Sequence, residues 1–525
     1  MNLWRVLKTK KYLMLTIGNR NITLDDFYDI LFEGNKVKIS AEAMERVDRS
    51  FNFLKEFSRD KVIYGINTGF GPMAQYAIES NDQVQLQYNL INSHASGSGD
   101  PIPLVEIKAA MVVMLNNLLQ GYSGIHNSVV KLLVQFINSD IIPFVPEHGG
   151  VGASGDLVQL AHIALCLIGK GEVFYEGKLS STKEVLEQTG LKPIEIHIRE
   201  GLALMNGTSV MTGISLINAL KAKRLLNWSM IASAFINEIV QSFDDYYSEE
   251  LNRVKKHIGQ QYVSEKMRWL EQGSKLIKKR ENEFYNGNGF QSKISTRVQE
   301  YYSIRCVPQV LGPIFETIEN ATKIFIDEAN SVHDNPVINY KTGNVYHGGN
   351  FHGDYVSFES DKLKIAITKL SMIAERQLNF LMNNKLNKIL PPFVNLGTLG
   401  LNLGMQGVQF TATSTTAENQ TLSFPMYVHS IPNNNDNQDI VSMGTNSALI
   451  TKKVINNAYQ VMSIELITLL QAIDYLAIAD KLSDRTKVVY DDLRQIVPKF
   501  VEDLPKYKDI ENILNFIQSN CVKGM

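Results

Sequence analysis

Four long segments of the sequence carry apolar residues at the spacing of an α-helix, and they constrain the fold more than any other feature. The segments span residues 213–240, 309–332, 362–384 and 447–479. They exceed the usual length of a globular helix, so each must pack on other helices along its length. Within residues 453–476 the apolar face is wide, which is typical of a buried position in a bundle or of an oligomer interface. The sequence therefore predicts a mainly α protein built around long helices.

The part of the chain before residue 200 has a different pattern. Shorter apolar periodicities alternate with loops rich in glycine and asparagine. Helices are predicted at residues 41–57, 107–138 and 157–168, and strand-like pieces at 172–174 and 194–198. We predict a mixed, mostly helical N-terminal domain at residues 14–200 and a long-helix bundle at 201–525. Residues 1–13 are predicted to be a disordered leader.

Charge and cysteine content exclude several classes of partner. The 525 residues carry 52 Lys and Arg against 54 Asp and Glu, a formal net charge of −2, which argues against nucleic acid or an anionic membrane as the partner. No apolar run is long enough for a transmembrane helix. The 3 cysteines are too few and too scattered for a disulfide framework or a zinc site. We expect no metal and a reducing, cytoplasmic location.

Residues 148–162 read HGGVGASGDLVQLAH and hold four closely spaced glycines. The spacing GVGASG fits a dinucleotide-binding loop, but that loop must follow an apolar strand. Pro143 and Pro146 fill the place of that strand, and prolines are unlikely in a central strand. The rest of the chain is also helical instead of alternating strand and helix. A dehydrogenase of that kind remains only a distant alternative.

A second interpretation of this stretch is chemical. If the chain bends tightly, the amide nitrogen of Gly155 can attack the carbonyl of Ala153, and loss of two waters, one from Ser154, leaves a five-membered electrophile. Asp156 could cap the following helix, whose positive end would favour negative charge on the ring. A second Ala-Ser-Gly occurs at residues 95–97, and the residues alone barely separate the two copies.

A set of motifs carries a family resemblance over nearly the whole chain after the leader. GGVGASGDLVQLAHIAL resembles the prosthetic-group segment of the aromatic amino acid ammonia-lyases, the family of histidine, phenylalanine and tyrosine ammonia-lyases. The other matching segments, in chain order, are YGINTGFG from Tyr64, NSHASG from Asn92, EGLALMNGTS from Glu200, QEYYSIRCVPQ from Gln299, DNP from Asp334, HGGNFHG from His347 and NQDIVSMG from Asn437. The resemblance implies a histidine-ammonia-lyase-like fold and a homotetramer with composite sites.

The resemblance also implies roles for individual residues. Ala153, Ser154 and Gly155 would form a 4-methylidene-imidazol-5-one that captures the substrate amine, with no external cofactor. Tyr64 would be the base that removes the β-proton, and Arg305 would hold the substrate carboxylate. Residues matching other lining positions are Asn206 and Tyr302, beside the prosthetic group, and Gln299, Asn335, Phe351 and Glu418, whose roles are less defined.

Two positions bear on which aromatic amino acid is the substrate. Ser93 and His94 occupy the pair that faces the substrate ring, where histidine lyases resemble this chain. Gln438 lies where histidine lyases carry a glutamate, and a neutral amide suits a phenol better than an imidazole. The two observations disagree. A branch of bacterial tyrosine lyases is similar to this chain in combining Ser-His with glutamine, and His94 could then hydrogen-bond the tyrosine hydroxyl.

The sequence therefore predicts a tyrosine ammonia-lyase that converts L-tyrosine to trans-4-coumarate and ammonia. The alternatives within the family are a histidine ammonia-lyase that makes urocanate and an aromatic aminomutase. Outside the enzyme class, the chain could be a helical scaffold with dead motifs. The intact Tyr64, Ser154 and Arg305 argue against a scaffold.

Overall fold

The computed structural model of the chain describes residues 13–285, 294 and 297–520. The predicted leader lies outside the described residues except for Leu13, whose N–H donates to Asn35 Oδ1 at 3.2 Å. Within the described residues no helix is long and apolar enough to cross a membrane. The described residues also contain no group of three or more His, Cys, Asp or Glu side chains arranged to hold a metal ion.

Short helices and short strands alternate through the N-terminal region. In chain order its elements are β1 (Met14–Ile17), α1 (Leu24–Leu31), β2 (Lys36–Ile39), α2 (Ala41–Phe57), α3 (Gln83–His94), β3 (Ser98–Pro101), α4 (Leu104–Leu118), α5 (Asn127–Asn138), β4 (Ile142–Pro143), β5 (Pro146–His148), α6 (Leu157–Leu167), β6 (Glu172–Tyr175), β7 (Lys178–Ser181), α7 (Thr182–Thr189) and α8 (Glu200–Met205).

Long helices dominate the remainder of the chain. Its elements are α9 (Ser209–Val240), α10 (Glu249–Arg253), α11 (Ile258–Glu271), α12 (Arg280–Phe284), α13 (Tyr302–Arg305), α14 (Val307–Ala329), β8 (Val337–Asn339), β9 (Asn344–Tyr346), α15 (Asp354–Met382), α16 (Asn384–Asn387), α17 (Gln406–Leu422), α18 (Gly444–Leu476), α19 (Asp484–Ile496) and α20 (Tyr507–Ser519). The four long predicted segments overlap α9, α14, α15 and α18 and extend two or three residues past the ends of the last three, which confirms the mainly helical prediction.

These four helices form the centre of the molecule. α15 packs along α18, and α9 packs against α4, α14 and α18. Their apolar side chains belong to one buried cluster that runs from Ile17 to Ile517. Helices α9 and α18 are buried on most of their faces, which is why their apolar residues surround the helix axis instead of forming one stripe.

The strands form only small sheets, which rules out a doubly wound dinucleotide fold for the described residues. β1 pairs in parallel with β2, β3 pairs with β5, β8 pairs with β9, and β6 lies between β4 and β7. Glu176 and Gly177 have positive φ angles of 49° and 76° and make the turn between β6 and β7.

Two secondary-structure predictions were wrong. Residues 107–138 are two helices, α4 and α5, because Gly121 and Gly124 adopt positive φ angles of 75° and 64° between them. Residues 194–198 form no strand. The side chains of Ile194 and Ile196 are buried, but the N–H of Ile194 donates to Leu167 O and the N–H of Ile196 donates to the Tyr88 hydroxyl. This segment therefore packs on helices instead of pairing with a strand.

Candidate active site

Ala153, Ser154 and Gly155, hereafter the tripeptide, lie in the loop between β5 and α6. Gly155 pairs with Gly207, and the N–H of Asp156 donates to Gly207 O at 2.8 Å. Gly207 stands two residues before α9. The tripeptide therefore lies beside the first turns of two helices, α6 and α9.

Two more helices begin at the same loop. Gly152 O accepts hydrogen bonds from the N–H of Gly353, just before α15, at 2.9 Å and from Ser442 Oγ at 3.1 Å. The N–H of Met443, just before α18, donates to Val151 O at 2.9 Å. Since helix N-termini carry partial positive charge, four of them around one loop favour negative charge there.

Close backbone packing explains the glycines of this loop. A Cβ at Gly155 would lie 1.9 Å from Gly207 O, and a Cβ at Gly152 would lie 2.1 Å from Ser442 Oγ. Both residues also adopt positive φ angles, 69° and 79°. Only glycine fits these positions. Ala153 is 5% exposed and Ser154 is half-buried.

Asp156 does not cap the helix that follows it, which corrects the sequence prediction. Its side chain makes no capping bond to α6. Instead Oδ2 accepts from the N–H groups of Val210 and Met211 at 2.7 and 2.9 Å, and Oδ1 accepts from Thr445 Oγ1. Asp156 thus ties the first turns of α9 and α18 together. Burial raises the pKa of this carboxyl from 3.8 to about 6, against the opposing effect of its three hydrogen bonds.

Gln438 reaches the tripeptide from the loop before α18. Its Nε2 donates to Ser154 Oγ at 3.1 Å. The loop closes on itself, because the backbone groups of Asn433 and Gln438 pair with each other. A neutral amide is therefore the side chain in contact with the tripeptide serine.

Asn206 and Asn335 form a buried pair next to the tripeptide. Asn206 directly precedes Gly207, and its Nδ2 donates to Asn335 O at 3.1 Å. The same Asn335 O accepts from Arg199, whose guanidinium also forms a fully buried ion pair with Asp334 at 2.8 Å. This ion pair holds both asparagine-bearing segments together. The sequence prediction did not include it, although Arg199 directly precedes the motif EGLALMNGTS and Asp334 is the first residue of the motif DNP.

Tyr64 lies in a loop close to this cluster. Its hydroxyl accepts from the N–H of Gly71 at 3.0 Å. Gly65 O accepts from Gln87 Nε2 at 2.9 Å, and Gln87 Oε1 accepts from the N–H of Leu202 in α8. Gly71 in turn lies against Asn434, with 2.9 Å between a Cβ built there and Asn434 Nδ2. The Tyr64 loop is therefore held between α8 and the loop that carries Gln438.

Ser93 and His94 form the end of α3. Nδ1 of His94 lies 3.0 Å from Leu90 O and 2.9 Å from Ser93 Oγ, so the ring is held against its own helix. Phe351, which is half-buried, stands two residues before Gly353 and its bond to the tripeptide loop. The fold thus brings Phe351 to the same end of the bundle.

Tyr302 and Arg305 lie at the other end of the bundle. Asn237 Nδ2, near the end of α9, is 3.4 Å from Ile304 O. Asn237 is 28 residues along α9 from Ser209, or about 42 Å at 1.5 Å per residue. The Arg305 guanidinium stacks 4.7 Å from the Tyr302 ring, which is 71% exposed. Arg305 Nε is buried and has no hydrogen-bond partner among the described residues.

Gln299 and Glu418 are also remote from the tripeptide within one chain. Gln299 is exposed and lies three residues before Tyr302. Glu418 in α17 accepts from Asn457 Nδ2 at 2.5 Å. Asn457 is 13 residues along α18 from Gly444, which corresponds to about 20 Å. A single chain therefore gathers one group of the predicted site residues around the tripeptide and leaves another on its surface.

Comparisons with known proteins cover nearly the whole chain. A family model described as aromatic amino acid lyase matches residues 22–495. Histidine ammonia-lyase 1 of Fusobacterium nucleatum is 38% identical over 97% of this chain and 96% of its own. Tyrosine 2,3-aminomutase of Myxococcus fulvus is 38% identical over 91% and 92%. The crystal structure of tyrosine aminomutase from Streptomyces globisporus superposes with a TM-score of 0.92 at 32% identity, covering 97% of each chain.

Proposed function

Because the chain belongs to the aromatic amino acid lyase family, we propose that it is a tyrosine ammonia-lyase, which converts L-tyrosine to trans-4-coumarate and ammonia without oxidation. Family membership makes the chain an enzyme that breaks carbon–nitrogen bonds, an ammonia-lyase. The choice of tyrosine as substrate is our proposal and rests on the residues below.

The observation that carries the choice of tyrosine is the contact of Gln438 with Ser154 at 3.1 Å. A carboxylate at this position would stabilise a charged imidazole, whereas an amide is neutral and both donates and accepts hydrogen bonds. A phenol ring therefore fits this neighbourhood better than an imidazole. His94 bears on the choice between tyrosine and phenylalanine, since it could bond the substrate hydroxyl and would be left unpaired by phenylalanine.

The residues of the tripeptide loop fit a methylidene-imidazolone. Gly155 has the compact backbone that the ring requires. Its φ angle is 69°, and the carbonyl of Gly207 occupies the space that a Cβ at residue 155 would need. Helix N-termini of α6, α9, α15 and α18 would stabilise negative charge on it. When formed, this group supplies an electrophile that takes up the substrate amine and makes it a better leaving group.

The chain's own residues bind the substrate and move its proton. Tyr64 is the proposed base for the β-proton, and the Gly71 N–H that donates to its oxygen would stabilise the phenolate form, which becomes neutral when it takes up the proton. Asn206, held in place by Asn335, would orient the amine. Arg305 would bind the carboxylate through its planar fork, stacked on Tyr302.

A complete site then requires more than one copy of the chain. Arg305 lies about 42 Å from the tripeptide along α9, too far for one substrate to touch both. We infer that a second copy supplies Tyr302 and Arg305, with Gln299 and Glu418 as further candidates. The exposure of Tyr302 and the unpartnered Arg305 Nε support this arrangement. A homotetramer and a cytoplasmic location remain our predictions.

Histidine is the second candidate substrate. The curated relatives named histidine ammonia-lyase, from Fusobacterium nucleatum and Bacillus velezensis, are each 38% identical to this chain. These names favour histidine, as does the Ser93–His94 pair. The tyrosine aminomutase of Myxococcus fulvus, equally identical, favours tyrosine as the substrate and the aminomutase reaction as a second outcome.

A substrate assay separates these functions. The purified enzyme is incubated with L-tyrosine, L-histidine or L-phenylalanine, and coumarate, urocanate, cinnamate and β-amino acids are separated by chromatography. We expect coumarate from tyrosine at the highest kcat/KM. Faster urocanate formation would establish the histidine lyase instead, and β-tyrosine as the main product would establish the aminomutase.

Variants of Gln438, the residue on which the choice of tyrosine rests, test that choice directly. Gln438→Glu should raise the ratio of histidine to tyrosine activity at least about tenfold, because a carboxylate stabilises imidazolium. Gln438→Met, which removes hydrogen bonding without adding charge, should lower both activities and leave their ratio within about twofold. An unchanged ratio in Gln438→Glu would mean that this residue does not select the substrate.

A further inference from the structure

We propose that His162 is a positioning residue that fixes the substrate-ring pair, Ser93 and His94, relative to the tripeptide. The inference rests on the proposed function, because the ring-facing role of the pair belongs to it. The proposal is based on one hydrogen bond between two segments that are far apart in sequence. The N–H of Gly97 donates to His162 Nε2 at 3.1 Å.

His162 connects the two parts of the site through a single helix. It stands in α6, the helix that starts directly after the tripeptide. Gly97 stands in the turn that follows Ser93 and His94 at the end of α3, and α3 packs against α6. Their hydrogen bond therefore sets how far the ring-facing pair lies from the tripeptide.

The chemical state of His162 suits this contact. An imidazole nitrogen accepts a hydrogen bond only in the neutral ring. Burial lowers the pKa of His162 below its ordinary value of 6.5, so the ring is neutral at neutral pH. Nε2 is then the acceptor for Gly97, and Nδ1 carries the proton.

Close packing leaves the Gly97 turn little freedom. A Cβ at Gly97 would lie 3.1 Å from both His162 Nε2 and His148 O. The next residue, Ser98, pairs with His148 in the ladder between β3 and β5. The turn is thus held on one side by the strand before the tripeptide and on the other by the helix after it.

Loss of the His162 contact should move His94. The His94 ring is tied to its own helix end, with Nδ1 3.0 Å from Leu90 O. It therefore follows the position of the α3 terminus, which the Gly97 turn anchors. A displaced ring-facing side chain weakens binding of substrate and transition state alike, which raises KM and leaves kcat nearly unchanged. The residues on either side of the tripeptide have their own backbone bonds, Val151 to Met443, Gly152 to Gly353 and Asp156 to Gly207, so ring formation should not depend on His162.

The first test compares two variants of His162 in the full-length enzyme. His162→Leu should raise the KM for L-tyrosine about tenfold and change kcat by less than about twofold, since substrate placement is weakened and the tripeptide is untouched. His162→Gln keeps an acceptor oxygen and should restore KM to within about threefold of the wild type. His257→Leu, at an exposed histidine before α11, is the matched control and should leave both constants unchanged.

A second variant approaches the contact from the other side. Gly97→Ala should raise KM in the same direction by pushing the turn off His162. The double variant should raise KM no further than His162→Leu alone, because both changes remove one interaction. Gly97→Ala also keeps the proposal testable if His162→Leu does not fold.

Two readouts separate this proposal from the proposed function. Amide hydrogen exchange of the peptide that spans Gly97 should be faster in His162→Leu than in the wild type, whether or not the enzyme acts on tyrosine. The intact mass should stay two waters short in every variant. Unchanged exchange and unchanged KM in His162→Leu, or multiplicative KM effects in the double variant, would overturn the proposal. Wild-type inactivity toward every aromatic amino acid would overturn the proposed function alone.

Discussion

At the scale of single residues, the two Ala-Ser-Gly copies test whether environment selects the reactive one. Ser154→Ala should yield a chain of full mass and lower activity at least about a thousandfold, because the dehydration that forms the electrophile requires the Ser154 hydroxyl. Ser96→Ala should keep the mass deficit of two waters, since residues 95–97 lack the four helix N-termini around the tripeptide. Intact-mass spectrometry of both variants checks this. A mass deficit in Ser154→Ala would disprove the assignment.

Asp156 predicts a specific pH dependence of stability. Burial raises its pKa from 3.8 to about 6, so between these values the folded protein binds more protons than the unfolded chain. Its contribution to stability is therefore complete below pH 3.8 and is lost as the pH rises through about 6. The difference amounts to about 3 kcal/mol at 1.4 kcal/mol per pKa unit.

Asp156→Asn should remove this contribution. From pH 4 to pH 7 the wild type should lose about 2 kcal/mol more than Asp156→Asn, measured as the shift in thermal midpoint at fixed protein concentration. Parallel pH profiles for the two proteins would show that the carboxyl is already ionised in the folded state at low pH.

At the scale of elements, a buried ion pair fixes the loop that carries Gln438. Lys364 in α15 is fully buried, and its Nζ bonds Asp361 Oδ1 at 2.6 Å and Phe424 O at 2.9 Å. Asp361 Oδ2 accepts from the N–H of Tyr427 at 2.7 Å, and Oδ1 accepts from Ser447 Oγ in α18. The pair therefore joins α15, α18 and the start of the loop.

Lys364→Met should destabilise the protein by about 3–5 kcal/mol, because it leaves the Asp361 carboxylate buried without its cation. Lys323→Met is the matched control, since Lys323 pairs with Asp327 on α14 and the two side chains are 74% and 61% exposed. It should cost no more than about 1 kcal/mol. Unfolding midpoints of the two variants provide the comparison. Equal losses of stability would mean that the buried Lys364–Asp361 pair stabilises the protein no more than an exposed pair does.

Local sequence patterns predicted elements where local forces decide them. The capping box of Thr23 and Asp26 starts α1, and α2 spans the predicted 41–57. The strand predicted at residues 194–198 does not form, because the alternate side chains of this segment are buried against helices and not against a neighbouring strand. Asp156 does not cap α6, because its carboxylate accepts hydrogen bonds from the first turn of α9 instead, 54 residues away at Val210. Hydrogen bonds and packing between segments far apart in sequence cannot be read from the residues of one segment.

At the scale of the whole molecule, the motifs predict candidate site residues but not which of them the fold of one chain brings together. Tyr64, Asn206 and Gln438 belong to motifs that the fold brings to one end of the bundle, whereas Arg305 belongs to a motif at the other end. Chain order gives no hint of this division, because the length and direction of α9 determine it. Exposed apolar side chains on the surface are consistent with contact between copies. They include Leu399, Leu401, Leu403 and Phe410.

Complementation between inactive variants tests the division directly. Ser154→Ala and Arg305→Ala should each be inactive alone. Co-expressed in one oligomer, they should recover about one quarter of the wild-type activity, because random mixing joins an intact tripeptide to an intact Arg305 of another copy at about one site in four. Ser154→Ala with Asn206→Ala is the matched control. Both residues lie together in one chain, so that pair should stay inactive. Recovery in the control, or none with Arg305→Ala, would refute a site shared between copies.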